Sequence, residues 1–286
     1  MNLMRQRNLV LALAGTAGVL GIQYAAKRWR GRGPEGKGVG YPPLTTLKPL
    51  SENIWIVDGE PGRMMGGVAL SVRMTVIRLG NGDLVLHSPV RFTPELSDKV
   101  AELGRIAHLI APSLGHWKFL ADWQQAYPDA KTWGVPGLRE RRQVRQSNVR
   151  IDEDLGRAAP EAWSGELEQG LVSSRAFAEA YFYHRSSRTL ILTDLIQNVE
   201  PARVPIWTAA AMGLAGATQA RTPVHARLAL QLGGASAKQA IEHLIALEPD
   251  KVIFSHGEWF SHHGAERLRA ALDWLTREGP VRETAP

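Results

Sequence analysis

Cysteine is absent from the 286 residues. That excludes disulfides and thiolate metal sites, so any metal would have to sit on imidazole or carboxylate, and it leaves the redox compartment open. Long apolar runs are scarce, and a sustained excess of one charge is lacking from the body of the chain. The formal charge of +6 arises at the front, where Arg5, Arg7, Lys27, Arg28, Arg30, Arg32 and Lys37 stand against Glu35 alone. Beyond residue 37 the chain is close to neutral. No nucleic-acid surface is therefore expected, and the basic balance points to a membrane flank. A hydrophobic share of 44% with 22% charged residues suits a folded domain, and the length does not require two.

The apolar run that does occur is residues 8–26, NLVLALAGTAGVLGIQYAA. It is close to the roughly 20 residues that cross a bilayer as helix. A cleavable signal peptide is the competing reading, since a basic start and short apolar core fit that pattern. The cluster Lys27, Arg28, Arg30 and Arg32 resists translocation, so an uncleaved single-pass anchor is expected, with the domain on the cytoplasmic side. The expected organisation is an anchor over residues 1–30, a Gly/Pro-rich linker over 31–50, one domain over 51–277, and a flexible tail over 278–286.

Within the domain, short apolar runs alternate with turn signals. Asn53–Asp58, Leu70–Leu79 and Leu84–His87 are predicted strands, the last two joined by a hairpin at Gly80–Asp83. Thr93–Leu103 carries helical spacing and stops at Gly104. Strands are then expected over Ile106–Ala111, Lys131–Val135, Phe177–Tyr183, Thr189–Thr193 and Lys251–Ser255. Helices are expected over Trp117–Tyr127, Ala235–Leu247 and Gly264–Arg277. Residues 139–168 read as a polar surface excursion and residues 201–236 as irregular and Ala-rich, with Trp207 and Met212 packing inward. Strands first, then helices alternating with strands, indicate a layered α/β domain, α+β by some schemes.

Four apolar runs each end in a potential ligand: LVL-His87, LIAPSLG-His116, LILT-Asp194 and VIFS-His256. Loops beyond strand ends are where layered sheets gather functional groups. Imidazole and carboxylate together suit zinc, iron or manganese, and three or four such groups would surround one ion. Each signal taken singly is equally that of a turn residue. Glu179, inside AFAEAYFY, reads as outward-facing by strand alternation, or else as a partner of a metal histidine. His184, in a turn with Arg185 and Arg188, reads as facing solvent or an anionic group, His108 and His243 as structural, and His262 and His263 as surface-turn residues near the same mouth.

The order NIWIVD, GDLVLHSPV, IAHLIAPSLGH, SSRTLILTD and DKVIFSHGE resembles the metallo-β-lactamase superfamily, and more closely a divergent branch known as a domain of unknown function. The resemblance runs from about Ser51 to Trp274. It implies a four-layer αββα sandwich behind an N-terminal hydrophobic helix. The family pattern has H-x-H-x-D-H after a strand, a downstream histidine, a bridging aspartate and a late histidine. His116 matches the last position of the first motif, Asp194 the bridging aspartate, and His256 the late histidine. The other first-motif ligands and the middle histidine are missing, with Ser173 and Ser174 the nearest polar residues to the latter. The resemblance thus implies at most one divalent ion, zinc before iron or manganese, on His116, Asp194 and His256. His87 is either a fourth ligand or a core-edge histidine bonded to backbone. Asp194 and His116 would carry the catalysis of a membrane-tethered hydrolase acting on a small-molecule or ester substrate. The alternatives are a binding or scaffold protein that has kept the fold without the chemistry, and oxidoreductase chemistry at a mononuclear iron.

Overall fold

A computed structural model describes residues 39–63 and 69–276. The proposed anchor, residues 31–38 of its linker and the tail lie outside the described residues. Among those described, no helix is long and apolar enough to cross a membrane.

Seven strands form the first sheet in sequence order: β1 (Lys48–Ser51), β2 (Ile54–Arg63), β3 (Ala69–Arg78), β4 (Asp83–His87), β5 (Arg105–Ala111), β6 (Lys131–Gly134) and β7 (Glu153–Asp154). Up to β4 neighbouring strands pair antiparallel, and from β4 to β7 they pair parallel, each joined to the next by a crossover. Asn81 makes the β3–β4 hairpin: its side-chain oxygen accepts from the Asp83 backbone N–H at 2.9 Å. The second sheet has β8 (Leu167–Ser173), β9 (Ala178–His184), β10 (Thr189–Ile191) and β11 (Lys251–Ile253) in the order β11-β10-β9-β8. Its β10–β11 pair is parallel and the others antiparallel.

Seven helices complete the described chain: α1 (Pro94–Ala101), α2 (Leu120–Ala126), α3 (Arg142–Arg145), α4 (Ile206–Leu214), α5 (Val224–Gln231), α6 (Gly234–Ala246) and α7 (Gly264–Thr276). Thr93 caps α1 by accepting from the Leu96 N–H, with Pro94 at the first helical position. Two cores lie on either side of the second sheet. Ala178, Ala180 and Phe182 of β9 join the core shared with the first sheet and α1–α2, whereas Tyr181 and Tyr183 join the core beneath α5, α6 and α7. Strand alternation thus feeds two layers at once, which makes β9 buried at every position. The result is a mixed α/β sandwich of two sheets between helical layers.

Several expectations are corrected. The segment 139–168 is no mere excursion, because it supplies edge strand β7 and buries Val144, Leu155 and Trp163. Strand β8 has no counterpart among the predicted elements; its LEQGLVS sequence is too polar to read as a buried strand. Residues 201–236 hold helices α4 and α5; Met212 packs against Leu70, Val199 and Val204 as expected, whereas Trp207 is 41% exposed. Strand β1 begins inside the segment read as linker, held by Lys48 on Asp58 at 2.8 Å.

Candidate metal centre

Parallel strands β4, β5, β10 and β11 all end at one edge of the sandwich, and antiparallel β3 and β9 begin there. His116 lies on the loop after β5, Asp194 just past β10, and His256 just past β11. The structure brings these three together: one ligand atom from each lies within 4.8 Å of the others. Asp194 Oδ1 is 3.2 Å from His256 Nε2 and 3.4 Å from His116 Nε2, and the two Nε2 atoms are 3.3 Å apart. His256 is buried and His116 nearly so, while the Asp194 side chain keeps about a quarter of its surface (24%), so the cluster opens to solvent at the carboxylate.

Every member is held from behind. His256 Nδ1 sits 2.6 Å from the Ser71 carbonyl, which can only accept, so that nitrogen carries a hydrogen and Nε2 is the free ligand atom. His116 Nδ1 is 2.6 Å from Ser88 Oγ. Ser113 Oγ donates to Asp194 Oδ2 at 2.7 Å, leaving Oδ1 for the cluster. Glu179, wholly buried on β9, accepts from the backbone N–H groups of Thr193, Asp194 and Leu195 at 2.7, 2.7 and 2.8 Å. It therefore fixes the peptide that carries Asp194, correcting the outward reading. Gly257 adopts φ +98° directly after His256, where a Cβ would collide with the Asn198 carbonyl. Arg73, itself buried, donates to the carbonyls of Phe254 and Gly257 at 2.7 and 3.0 Å and pairs with Asp58 at 2.7 Å. The His256 loop is thereby clamped to β3.

The electrostatics call for a positive charge at the centre. Burial would raise the Asp194 carboxyl, but the two imidazoles against it hold it well below the usual carboxylate range. Burial would likewise lower His256, yet the Asp194 carboxylate outweighs it and the net shift is upward. A neutral His256 presents an Nε2 lone pair to a carboxylate oxygen, which is repulsive unless a proton or a metal lies between. Imidazolium–carboxylate hydrogen bonds prefer about 2.7–2.9 Å. The separations here are longer. They match the edge of a tetrahedron of donors about 2.0–2.1 Å from one ion, which is about 3.3–3.4 Å. The residues present fit a single small divalent cation.

His87 stands apart from the three. It is buried at the end of β4, edge-on to Phe182 with ring centroids 5.3 Å apart, and its Nε2 has no partner. Burial, followed by the neighbouring charge of His116, lowers its pKa to about 3. His184 is also buried, bonded to Ser187 at 2.7 Å, rather than facing solvent. His108 packs against Trp133 and Trp163 as a structural residue, whereas His243 is half-exposed and contacts Glu168 at 2.6 Å. His262 and His263 line a separate depression with Asp250 and Lys251. Sequence reasoning missed Ser71, Ser88 and Ser113. Ser88 had one visible signal, its place directly after the His87 strand end.

Residues 51–140 match a family model described as "Domain of unknown function (DUF4336)". No curated protein sequence matches the chain significantly. Among solved structures, the metallo-β-lactamase from Pontibacter korlensis is 14% identical, with 82% of this chain and 99% of that one covered and a TM-score of 0.53. The metallo-β-lactamase from Erythrobacter litoralis is 12% identical over 80% and 95%, with a TM-score of 0.54. The metallo-β-lactamase FIM-1 from Pseudomonas aeruginosa, in its mono-zinc form, is 13% identical over 81% and 94%, with a TM-score of 0.52. The fold is metallo-β-lactamase-like. Counted back from His116 along the H-x-H-x-D-H pattern, this chain carries Ala111, Ser113 and Gly115 at the other ligand positions of that pattern. The Ser113 hydroxyl bonds Asp194 instead.

Proposed function

We propose that the protein is a membrane-tethered hydrolase with one divalent-cation site on His116, Asp194 and His256. The observation that carries this reading is the triangle of 3.2–3.4 Å contacts among two Nε2 atoms and Asp194 Oδ1. Zinc suits the donors best, and iron or manganese would also be accepted by two imidazoles and a carboxylate. A cation held there supplies a water of lowered pKa and a positive charge for a developing oxyanion. His256 keeps a hydrogen on Nδ1 against the Ser71 carbonyl, which aims its Nε2, and His116 is aimed by Ser88. Asp194, its Oδ2 held by the Ser113 hydroxyl, would give Oδ1 to the cation and through the second lone pair of that oxygen orient the attacking water. The solvent-facing side of Asp194 admits the substrate, a small molecule with an ester or other hydrolysable carbonyl or phosphoryl centre. The tether is residues 8–26, and the basic cluster after it favours a cytoplasmic domain.

A second reading, a binding protein that kept the fold without the chemistry, is favoured by Ala111, Ser113 and Gly115 standing in the ligand positions of the first motif. Elemental analysis of the full chain, purified in detergent from metal-replete cells, separates the two. One zinc, iron or manganese per chain, with hydrolysis of an ester or phosphodiester probe that His256→Ala lacks, supports the hydrolase. No stoichiometric metal rejects it. Membrane fractionation tests the tether, and a mature N-terminus at Lys27 would replace the anchor with a cleaved signal.

A further inference from the structure

Helices α4 and α5 leave large apolar side chains in water. Ile206 is 85% exposed, Leu214 86% and Leu232 84%, with Trp207, Val224 and Leu228 also exposed. On α5 the apolar positions recur at every fourth residue, one stripe along a helix. The Ala215 carbonyl accepts from the Val224 N–H at 2.8 Å, which joins the end of α4 to the start of α5. An apolar surface of this kind marks an interaction site more often than a solvated one.

Two further observations identify what covers it. The chain enters the described domain near α4: Val39, like Ala209 and Met212 of α4, packs against Leu70, Val199 and Val204, and Arg203 donates to the Gly40 carbonyl at 3.3 Å. Only the twelve residues 27–38 therefore separate the apolar segment 8–26 from this face, a reach of at most about 40 Å. In addition, residues 201–241 contain no Asp or Glu; Arg203 and Lys238 pair with Glu200 and Glu242 at the two bounds, at 2.5 and 3.7 Å, which leaves Arg221 and Arg227 as the cationic excess of residues 200–242. An apolar face with this cationic excess, close in sequence to the proposed membrane tether, matches the chemistry of anionic lipid.

We propose that the exposed face of α4 and α5 rests on an anionic bilayer, its apolar side chains entering the headgroup–acyl boundary. The proximity argument rests on the reading of residues 8–26 as a membrane tether. Docking of this kind would hold the sandwich in a defined orientation above the lipid rather than loosely on its linker.

The cysteine-free chain allows a direct test. Full-length Leu214→Cys and Leu232→Cys, each carrying an environment-sensitive fluorophore, are reconstituted into phosphatidylglycerol–phosphatidylcholine vesicles with doxyl-labelled acyl chains. Asp129→Cys, exposed in the turn before β6, is the control. The expected result is flotation of all three, with blue-shifted and doxyl-quenched emission at positions 214 and 232 but not at 129. Flotation with positions 214 and 232 as wet as 129 overturns the docked face and leaves the tether standing. A blue shift without doxyl quenching also overturns it, since a second copy or residues 8–26 would then cover the face. Failure to float overturns both tether and face.

Discussion

Replacing His87 by Leu separates a structural histidine from a fourth ligand and carries a pH signature that can be worked in advance. The ring is buried against Phe182 with Nε2 unpartnered, and burial depresses its pKa to about 3. The unfolded chain takes up the proton near pH 6.5. Folding therefore excludes a proton: the contribution is complete above pH 6.5 and is lost as pH falls towards 3. Between pH 8 and pH 5 the linkage amounts to about 2 kcal/mol. For a domain of this size that is a fall of roughly 4–8 °C in melting temperature from this residue alone. Leu nearly matches the histidine in volume and removes an unpaired polar atom, so the two chains should agree within about 1 kcal/mol at pH 8. Thermal melts of the detergent-solubilised full chain at both pH values read the difference. The variant should lose about 2 kcal/mol less than the wild type on acidification and keep its full metal content. Equal acid losses would refute the burial argument, and loss of metal in the variant would make His87 a ligand.

Glu179→Gln sets an amide NH2 against at least one of the backbone N–H groups of Thr193, Asp194 and Leu195. It should cost about 2–3 kcal/mol in thermal unfolding and weaken metal retention during dialysis; unchanged melting and retention would show that Glu179 does not position Asp194. Arg73→Met leaves Asp58 buried with only Lys48 beside it and frees the Phe254–Gly257 loop. The expected loss is about 3–5 kcal/mol in urea unfolding, accompanied by weaker metal binding. A variant as stable as the wild type would rule out the clamp.

The three central residues were legible because each follows an apolar strand run, and strand ends at one edge are where such sheets gather polar groups. What oriented them was less so. Ser71 and Ser113 contribute through contacts between residues far apart in the chain, and the sequence carries no trace of which carbonyl faces which imidazole. Glu179 was misread because alternation assigns one face of a strand to water. On β9 both faces are buried, so alternation distributes side chains between two cores instead. The same burial explains His184. Strand β8 escaped because Glu168 and Gln169 interrupt its apolar pattern, although Gln169 is buried and donates to the Gly156 carbonyl at 2.8 Å. Helices α4 and α5 escaped because their Ala-rich sequences exchange the usual polar outer face for an apolar one.

A crystal of the full chain grown with zinc, measured for anomalous scattering at the zinc edge, tests the central claim most directly. One strong peak is expected about 2.0–2.2 Å from His116 Nε2, His256 Nε2 and an Asp194 carboxylate oxygen, with none at His87. Electron density showing the three side chains hydrogen-bonded to one another, with no anomalous peak between them, would contradict it.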